Sequence, residues 1–408
     1  MHLLQKQKGE NKLESIFTLI NHYCEPVESK IKDSFSSNFR DSILLNCIDF
    51  VELGSSDEYF KNCKLALIGI PEDRNSRNIG ANLAPNIIRK YLYSLSIINE
   101  NLRIADLGNL KMSDNPQDTY YGLRDLSIEL IEKDIVLLII GGTQDLTYGN
   151  FLAYSELEKE VNIVSIDSKF DLECDDNGIN SQNYMSKIVS EKAKFLYNFS
   201  NIGYQKYLVS QEDIKLMDEL LFDSYRLGHI RIDLKETETI LRTANLVSFD
   251  IGAIKQADAP ARNNPSPNGF FSNEACQISR YAGLSESVSS FGIYEVNPEF
   301  DNNYQTSNLA AQIIWHFIEG FSFRKTENFS ESDPNFSKYF VSLNDIENQI
   351  IFYKSKHTER WWMKIPFPEE TKISSQEVKI IPCSYKDYIL ASNNEIPDRL
   401  WKFIQKLD

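Results

Sequence analysis

The chain has 408 residues, 42% of them hydrophobic, with 43 basic and 59 acidic side chains and a formal net charge of −16. The apolar share supplies a full core and excludes a disordered chain, and the negative charge repels phosphate backbones, which excludes a nucleic-acid binder. No apolar run reaches the roughly 18 residues of a membrane span. Met1-His2-Leu3-Leu4-Gln5-Lys6 runs straight into polar sequence, without the apolar stretch of a signal peptide, so a cytoplasmic protein is expected. Six cysteines (Cys24, Cys47, Cys63, Cys174, Cys276, Cys383) are scattered with no CxxC pair and read as reduced, mostly buried thiols. Only five histidines are present: His2, His22, His229, His316 and His357.

Residues 1–62 mix polar, helix-like stretches with Ser, Asn and Gly, and form an N-terminal extension with no recognisable chemistry. From Lys64 onward, short runs rich in Ile, Val and Leu appear at Leu65–Ile70, Leu102–Leu107, Ile135–Ile140, Val161–Ile166, Leu246–Ile251 and Ser290–Val296. They are too short for helices and read as strands buried on both faces. Amphipathic stretches at Pro85–Leu95, Thr119–Lys133, Asn183–Tyr197, Gln211–Phe222 and Thr306–Phe321 predict helices among them. This alternation predicts βαβ crossovers and a mostly parallel sheet covered on both sides, over residues 63–328. A polar linker is expected at Thr326–Phe336. Beyond it, Tyr339–Leu343 and Gln349–Tyr353 flank a turn at 344–348, and Pro397–Lys406 is helix-like. Residues 332–408 therefore read as a small C-terminal module.

In a parallel sheet, ligands gather at the carboxyl ends of strands, so the loops after the apolar runs carry the interest. These hold Ile70-Pro71-Glu72-Asp73-Arg74, Gly141-Gly142-Thr143-Gln144-Asp145, Asp167-Ser168-Lys169-Phe170-Asp171 and Ser248-Phe249-Asp250-Ile251-Gly252-Ala253. Read from the residues alone, they predict a pocket lined by Asp145, Asp167, Asp171 and Asp250, an oxygen-rich cluster of the kind that suits magnesium or manganese.

At these loops the sequence resembles the ureohydrolases: arginase, agmatinase and formimidoylglutamase. The resemblance covers about residues 64–322. Glu295-Val296-Asn297-Pro298, followed by Asp301 and Thr306, keeps the family's late motif, and the opening Ile68–Arg74 is most similar to the formimidoylglutamase branch. The resemblance implies a three-layer α/β fold with a central parallel sheet of about eight strands and a homo-oligomer. It also implies two manganese ions held by two His and four Asp, with a bridging hydroxide that attacks a guanidinium or formimino carbon. In this chain the two His positions are Gln144 and Lys169, and the last Asp position is Gly252. Asp167, Asp171 and Asp250 remain as remnant ligands. A His that serves arginases in proton transfer falls near Tyr184.

Manganese stands at the weak end of the divalent series and needs a full ligand set. The Lys169 ammonium has no lone pair to offer, and at about 4 Å it repels a cation by roughly 4 kcal/mol per unit charge. Three readings stay open for it: a built-in cation in the metal's place, a solvated loop lysine, or a neighbour of a reduced, single-metal site. The leading expectation is a binding or scaffolding protein with no cofactor, taking a protein partner or a small cationic ligand. The alternative is a metal-dependent C–N hydrolase around Asp167, Asp171 and Asp250; a lysine-based, metal-free hydrolase is a third. Glu274 occupies the place of a substrate-facing glutamate and also reads as a helix-start acid. The loop Arg262-Asn263-Asn264 suggests an altered pocket mouth. Arg74 and Arg77 read as surface pairs, Cys276 as a buried thiol, and Trp361-Trp362 as one core and one interface side chain.

Overall fold

The computed structural model describes residues 16–33, 42–52, 60, 62–174, 178–327, 333–344, 349–365 and 380–406. The N-terminal hexapeptide, the turn residues 345–348 and residues 328–332 of the expected linker lie outside these.

Among the described residues, ten strands make the main sheet: β1 (Cys24–Glu25), β2 (Ile48–Phe50), β3 (Leu65–Gly69), β4 (Ile104–Leu110), β5 (Val136–Ile140), β6 (Val161–Ile166), β7 (Leu196–Tyr204), β8 (Asp223–Arg226), β9 (Leu246–Asp250) and β10 (Ser290–Tyr294). Their order is β1-β4-β3-β5-β10-β9-β6-β7-β8, with β2 also on β4; all pairings are parallel except β1 with β4. Helices α1 (Ile16–Tyr23), α2 (Ser29–Asp33), α3 (Ala84–Ser94), α4 (Pro116–Glu132), α5 (Leu146–Glu156) and α6 (Tyr184–Lys192) accompany the first half. Helices α7 (Gln211–Glu219), α8 (Leu227–Ile232), α9 (Glu236–Leu241), α10 (Ser272–Leu284) and α11 (Gln305–Ser322) accompany the second.

The layers follow from the two-residue period of the strands. On β5, Val136, Leu138 and Ile140 enter one core with α3, α10 and α11, while Leu137 and Ile139 enter the other with α1, α4, α5 and α6. Helices α10 and α11 cross closely because each carries a glycine at the contact. A Cβ on Gly283 would lie 2.1 Å from the Phe317 carbonyl oxygen, and one on Gly320 would lie 2.2 Å from that of Arg280.

The sheet is wider than the expected eight strands. Two strands come from the N-terminal extension, and two more are too polar to read as buried runs. Asn198, Ser200 and Asn201 interrupt β7, and β8 is a half-exposed edge. The C-terminal module is a four-stranded antiparallel sheet, β11 (Phe336–Val341), β12 (Ile350–Ser355), β13 (Trp361–Lys364) and β14 (Ile380–Cys383), with α12 (Tyr385–Ser392) and α13 (Asp398–Gln405). Alternation along β13 sends Trp361 into the module's core, stacked 5.1 Å from Tyr388, and turns Trp362 to the other face under the Arg242 guanidinium at 5.3 Å. Arg242 Nη1 also donates to the Trp361 carbonyl (2.7 Å), and Arg360 Nε pairs with Glu238 (2.9 Å). These contacts tie the module to the end of α9.

Candidate functional site

The four central strands β5, β10, β9 and β6 are neighbours, so the loops at their carboxyl ends meet at one place. Asp167 follows β6, Asp250 ends β9, and Glu295 follows β10. Local hydrogen bonds fix each carboxylate. Asp250 Oδ1 accepts from the Gly252 amide (2.6 Å), capping a short 3-10 turn, and Asp167 Oδ1 accepts from the Lys169 amide (3.0 Å). Asn201 Nδ2 holds the Lys169 carbonyl (2.6 Å). Asp171 takes a left-handed backbone (φ 54°), a conformation aspartate tolerates, which turns its carboxyl back toward Asp167.

These groups are buried and share their charge. Neither Asp167 Oδ2 nor Asp171 Oδ2 meets a donor from the rest of the protein. Burial, and then the neighbouring Asp167 carboxylate, push the Asp171 carboxyl well above the ordinary range; burial and the Asp250 charge raise Asp167 in the same direction. The two carboxyls thus hinder one another's ionisation, and neither Oδ2 gains a hydrogen bond that would relieve it. Glu295, also in a left-handed conformation (φ 67°), accepts from the Gln144 amide (3.0 Å) and from Asn78 Nδ2 (2.9 Å). Burial, with the Asp250 charge adding, pushes it up to about 8.

The cation facing this cluster is Arg262. Its Nη1 lies 3.2 and 3.3 Å from the two Asp250 oxygens, while its Nε is buried without a hydrogen-bond partner. The fields of Asp250, Glu295, Asp167 and Asp171 all favour its charged form. A Cβ on Gly252 would lie 1.0 Å from Arg262 Nη1, so the guanidinium fills the volume that a side chain at 252 would enter.

The other sequence-chosen residues fall differently. Gln144 is buried, and its Nε2 faces three hydroxyls, Ser165 (3.2 Å), Ser248 (3.2 Å) and Tyr184 (3.3 Å). Lys169, expected as a candidate built-in cation, is only half-buried and makes no ion pair among the described residues; its charge reaches Asp171 only as a field. Its backbone serves the loop instead, donating to Asp167 and accepting from Asn201. Asp145 does not join the carboxylates. It is buried beside α4, accepting from the Tyr120 hydroxyl.

Glu274 accepts from the Phe271 amide (2.8 Å) and pairs with Arg231 (3.2 Å), which is the helix-start role. Cys276 is a buried thiol, pushed up to about 11 by burial. Arg74 pairs with the buried Glu72 at 2.5 Å, and Arg77 is exposed. Sequence reasoning put Arg262 at the pocket mouth and Glu295 in a retained motif, but did not bring either into the carboxylate cluster. The available signal was Gly252, a lost side chain whose volume something else had to occupy.

The arginase family profile matches residues 63–319. The chain belongs to the arginase family. A formimidoylglutamase of Staphylococcus haemolyticus is 25% identical over 292 residues, covering 66% of this chain and 91% of the relative. The structure of formimidoylglutamase from Bacillus subtilis superposes with a TM-score of 0.63 at 20% identity, over 73% of this chain and 100% of that one. A Trypanosoma cruzi formiminoglutamase with Mn2+ gives a TM-score of 0.59 at 21% identity, over 65% of this chain and 95% of that one.

The ligand positions implied by the resemblance are filled differently in this arginase-family chain. Gln144 directs an amide N–H into the site's floor, Lys169 has no lone pair, Gly252 has no carboxylate, and a guanidinium lies against both Asp250 oxygens. Among the described residues, no group of three or more His, Cys, Asp or Glu is arranged to hold a metal.

Proposed function

We propose that this chain is an arginase-family protein that binds a partner rather than hydrolysing a substrate through a manganese pair. The observation that carries the reading is Gln144. Where the resemblance places an imidazole ligand, the chain puts a buried, neutral amide whose Nε2 lies 3.2–3.3 Å from three hydroxyls, a poorer donor for manganese than an imidazole. Arg262 already answers Asp250, and burial with the Asp167 charge disfavours the charged form of Asp171, so an external small cation finds little free charge there. That supports a protein partner, with the fold acting as a scaffold, over a small cationic ligand. A homo-oligomer and a cytoplasmic setting belong to the same reading; no described helix is long and apolar enough to cross a membrane.

The test is metal content by mass spectrometry after equilibration with excess manganese and removal of free ions. Less than about a tenth of an equivalent per chain is expected, together with no turnover of N-formimino-glutamate or agmatine. One equivalent or more, with turnover, overturns the reading.

The names of the relatives speak for a second reading, and favour it over loss of activity: a C–N hydrolase of the formimidoylglutamase or agmatinase type. The three retained carboxylates support it. It requires Arg262 to leave Asp250, and predicts that substrate amidine, rather than manganese alone, draws metal into the site.

A further inference from the structure

We propose that Arg262 is an internal substitute for the metal: its guanidinium is the cation around which Asp167, Asp171, Asp250 and Glu295 are assembled. The inference rests on the reading of a metal-free site and names what replaced the ions. Three observations carry it. First, the guanidinium sits in a definite vacancy. Position 252 is where the resemblance places a ligand carboxylate, and the absent side chain and the arriving Nη1 compete for one volume, with only 1.0 Å between a Cβ at 252 and that nitrogen. A side chain at 252 would displace the guanidinium of Arg262 from this position, which links the two sequence features as one exchange.

Second, the contacts are those of a counter-ion. One nitrogen is shared between both oxygens of Asp250 at 3.2 and 3.3 Å, and Nε finds no acceptor. A guanidinium selected for its hydrogen-bonding fork makes two parallel bonds to a carboxylate. Here the charge is used and the fork is not. Third, the cluster needs a cation. Four carboxyl groups are buried around the same strand ends, and Arg262 is the side-chain cation that reaches one of them. Only 21% of the Arg262 side chain is exposed, so its charge acts in a poorly screened setting. Its delocalised, weakly hydrated charge is the kind most readily held there.

The inference makes metal binding a property that Arg262 suppresses. The experiment compares thermal melting of the full chain, with and without millimolar manganese, and its metal content. The proteins are the natural chain, Arg262→Lys, Arg262→Ala and the double variant Arg262→Ala/Gly252→Asp. Manganese is expected to leave the natural chain unmoved. Arg262→Ala should melt about 5 °C lower or more, Arg262→Lys should recover at least half of that loss, and manganese should raise the melting point of the double variant with about one bound equivalent.

Folding is safeguarded by Asp250→Asn/Arg262→Met, which removes both charges and should melt above Arg262→Met alone. Three results overturn the inference while leaving the metal-free reading intact. They are Arg262→Ala melting within about 1 °C of the natural chain, a folded double variant that takes up no manganese, and no recovery in the doubly neutral variant. Stoichiometric manganese in the natural chain instead overturns the reading beneath it.

Discussion

Two arginines in the same domain, one wholly buried and one partly so, answer a carboxylate in opposite ways. Arg89 and Asp106 are both wholly buried. Nε and Nη2 of Arg89 reach the two Asp106 oxygens at 2.9 and 3.0 Å, Nη1 reaches Asn109 (2.5 Å), and Nη2 also reaches the Gly108 carbonyl (2.7 Å). Tyr93 adds its hydroxyl to the same carboxylate. Every donor group has a use, and the pair ties α3 to β4. Arg262 leaves Nε idle and shares one nitrogen between two oxygens. The first is a structural joint in which direction matters; the second supplies charge to a cluster. The difference teaches that a buried ion pair is classified by how many of its donors are spent, and not by its burial.

The comparison can be broken or sharpened by substitution, beginning with the joint. Arg89→Met should cost about 3–5 kcal/mol in urea unfolding, because Asp106 is left buried and unanswered, and manganese should not restore it. A manganese-dependent recovery there would erase the distinction between the two arginines. A pH titration is the next largest effect. Glu295, at about 8 when folded and near 4.5 when unfolded, binds more protons in the native state between these values. Its contribution to stability is present in full below the unfolded value and is lost as pH rises through the folded one. Urea midpoints of the natural chain should therefore fall from pH 5 to 8, at no more than about 1.4 kcal/mol per pH unit for this one proton. Glu295→Gln should flatten the slope, and a natural chain already flat over that range contradicts the burial argument.

Gly252→Ala should cost about 1–3 kcal/mol by driving the guanidinium from its place, readable as a lower urea midpoint at unchanged slope. A neutral result would mean that the volume is not contested. Smallest of all is Lys169→Met, expected within about 0.5 kcal/mol of the natural chain because the ammonium is half-exposed and has no ion pair among the described residues. A loss above about 2 kcal/mol would return the built-in cation to Lys169.

Much of the fold was legible where a single physical demand governed the sequence. Strands β3, β5, β6, β9 and β10 are buried on both faces, so they read as apolar runs, and Val161–Ile166 was placed to the residue. Where demands mix, the reading failed. β7 runs Leu-Tyr-Asn-Phe-Ser-Asn-Ile-Gly-Tyr, with buried Ser200 and Asn201 paid into a polar neighbourhood with Asp223 and the Lys169 loop, and its first residues merged with the preceding helix. Within the site, Asp167, Asp171 and Asp250 were legible as neighbours because Asp250 ends β9, Asp167 follows β6 directly and Asp171 lies five residues beyond that strand. Asp145 has the same placement and still points elsewhere, since the Tyr120 hydroxyl on α4 claims it. Arg262 was illegible for a different reason: it comes 12 residues after Asp250 in an irregular loop, and no periodicity reports which way a long side chain reaches.

The edge of the main sheet has a consequence in time. Strand β8 is the last in the order, and the chain's final helix lies against it: Lys402 Nζ bonds Asp223 Oδ1 (2.9 Å) across 179 residues of sequence, and Lys406 reaches Asn198 on β7 (2.7 Å). At translation speeds of about 5–20 residues per second, the ribosome needs on the order of ten to thirty seconds to deliver that helix after β8 has emerged. During that interval the nascent domain carries an unguarded strand edge, open to any neighbouring chain on the same messenger. Helix α13 thus brings its lysines to that edge only late in the order of synthesis.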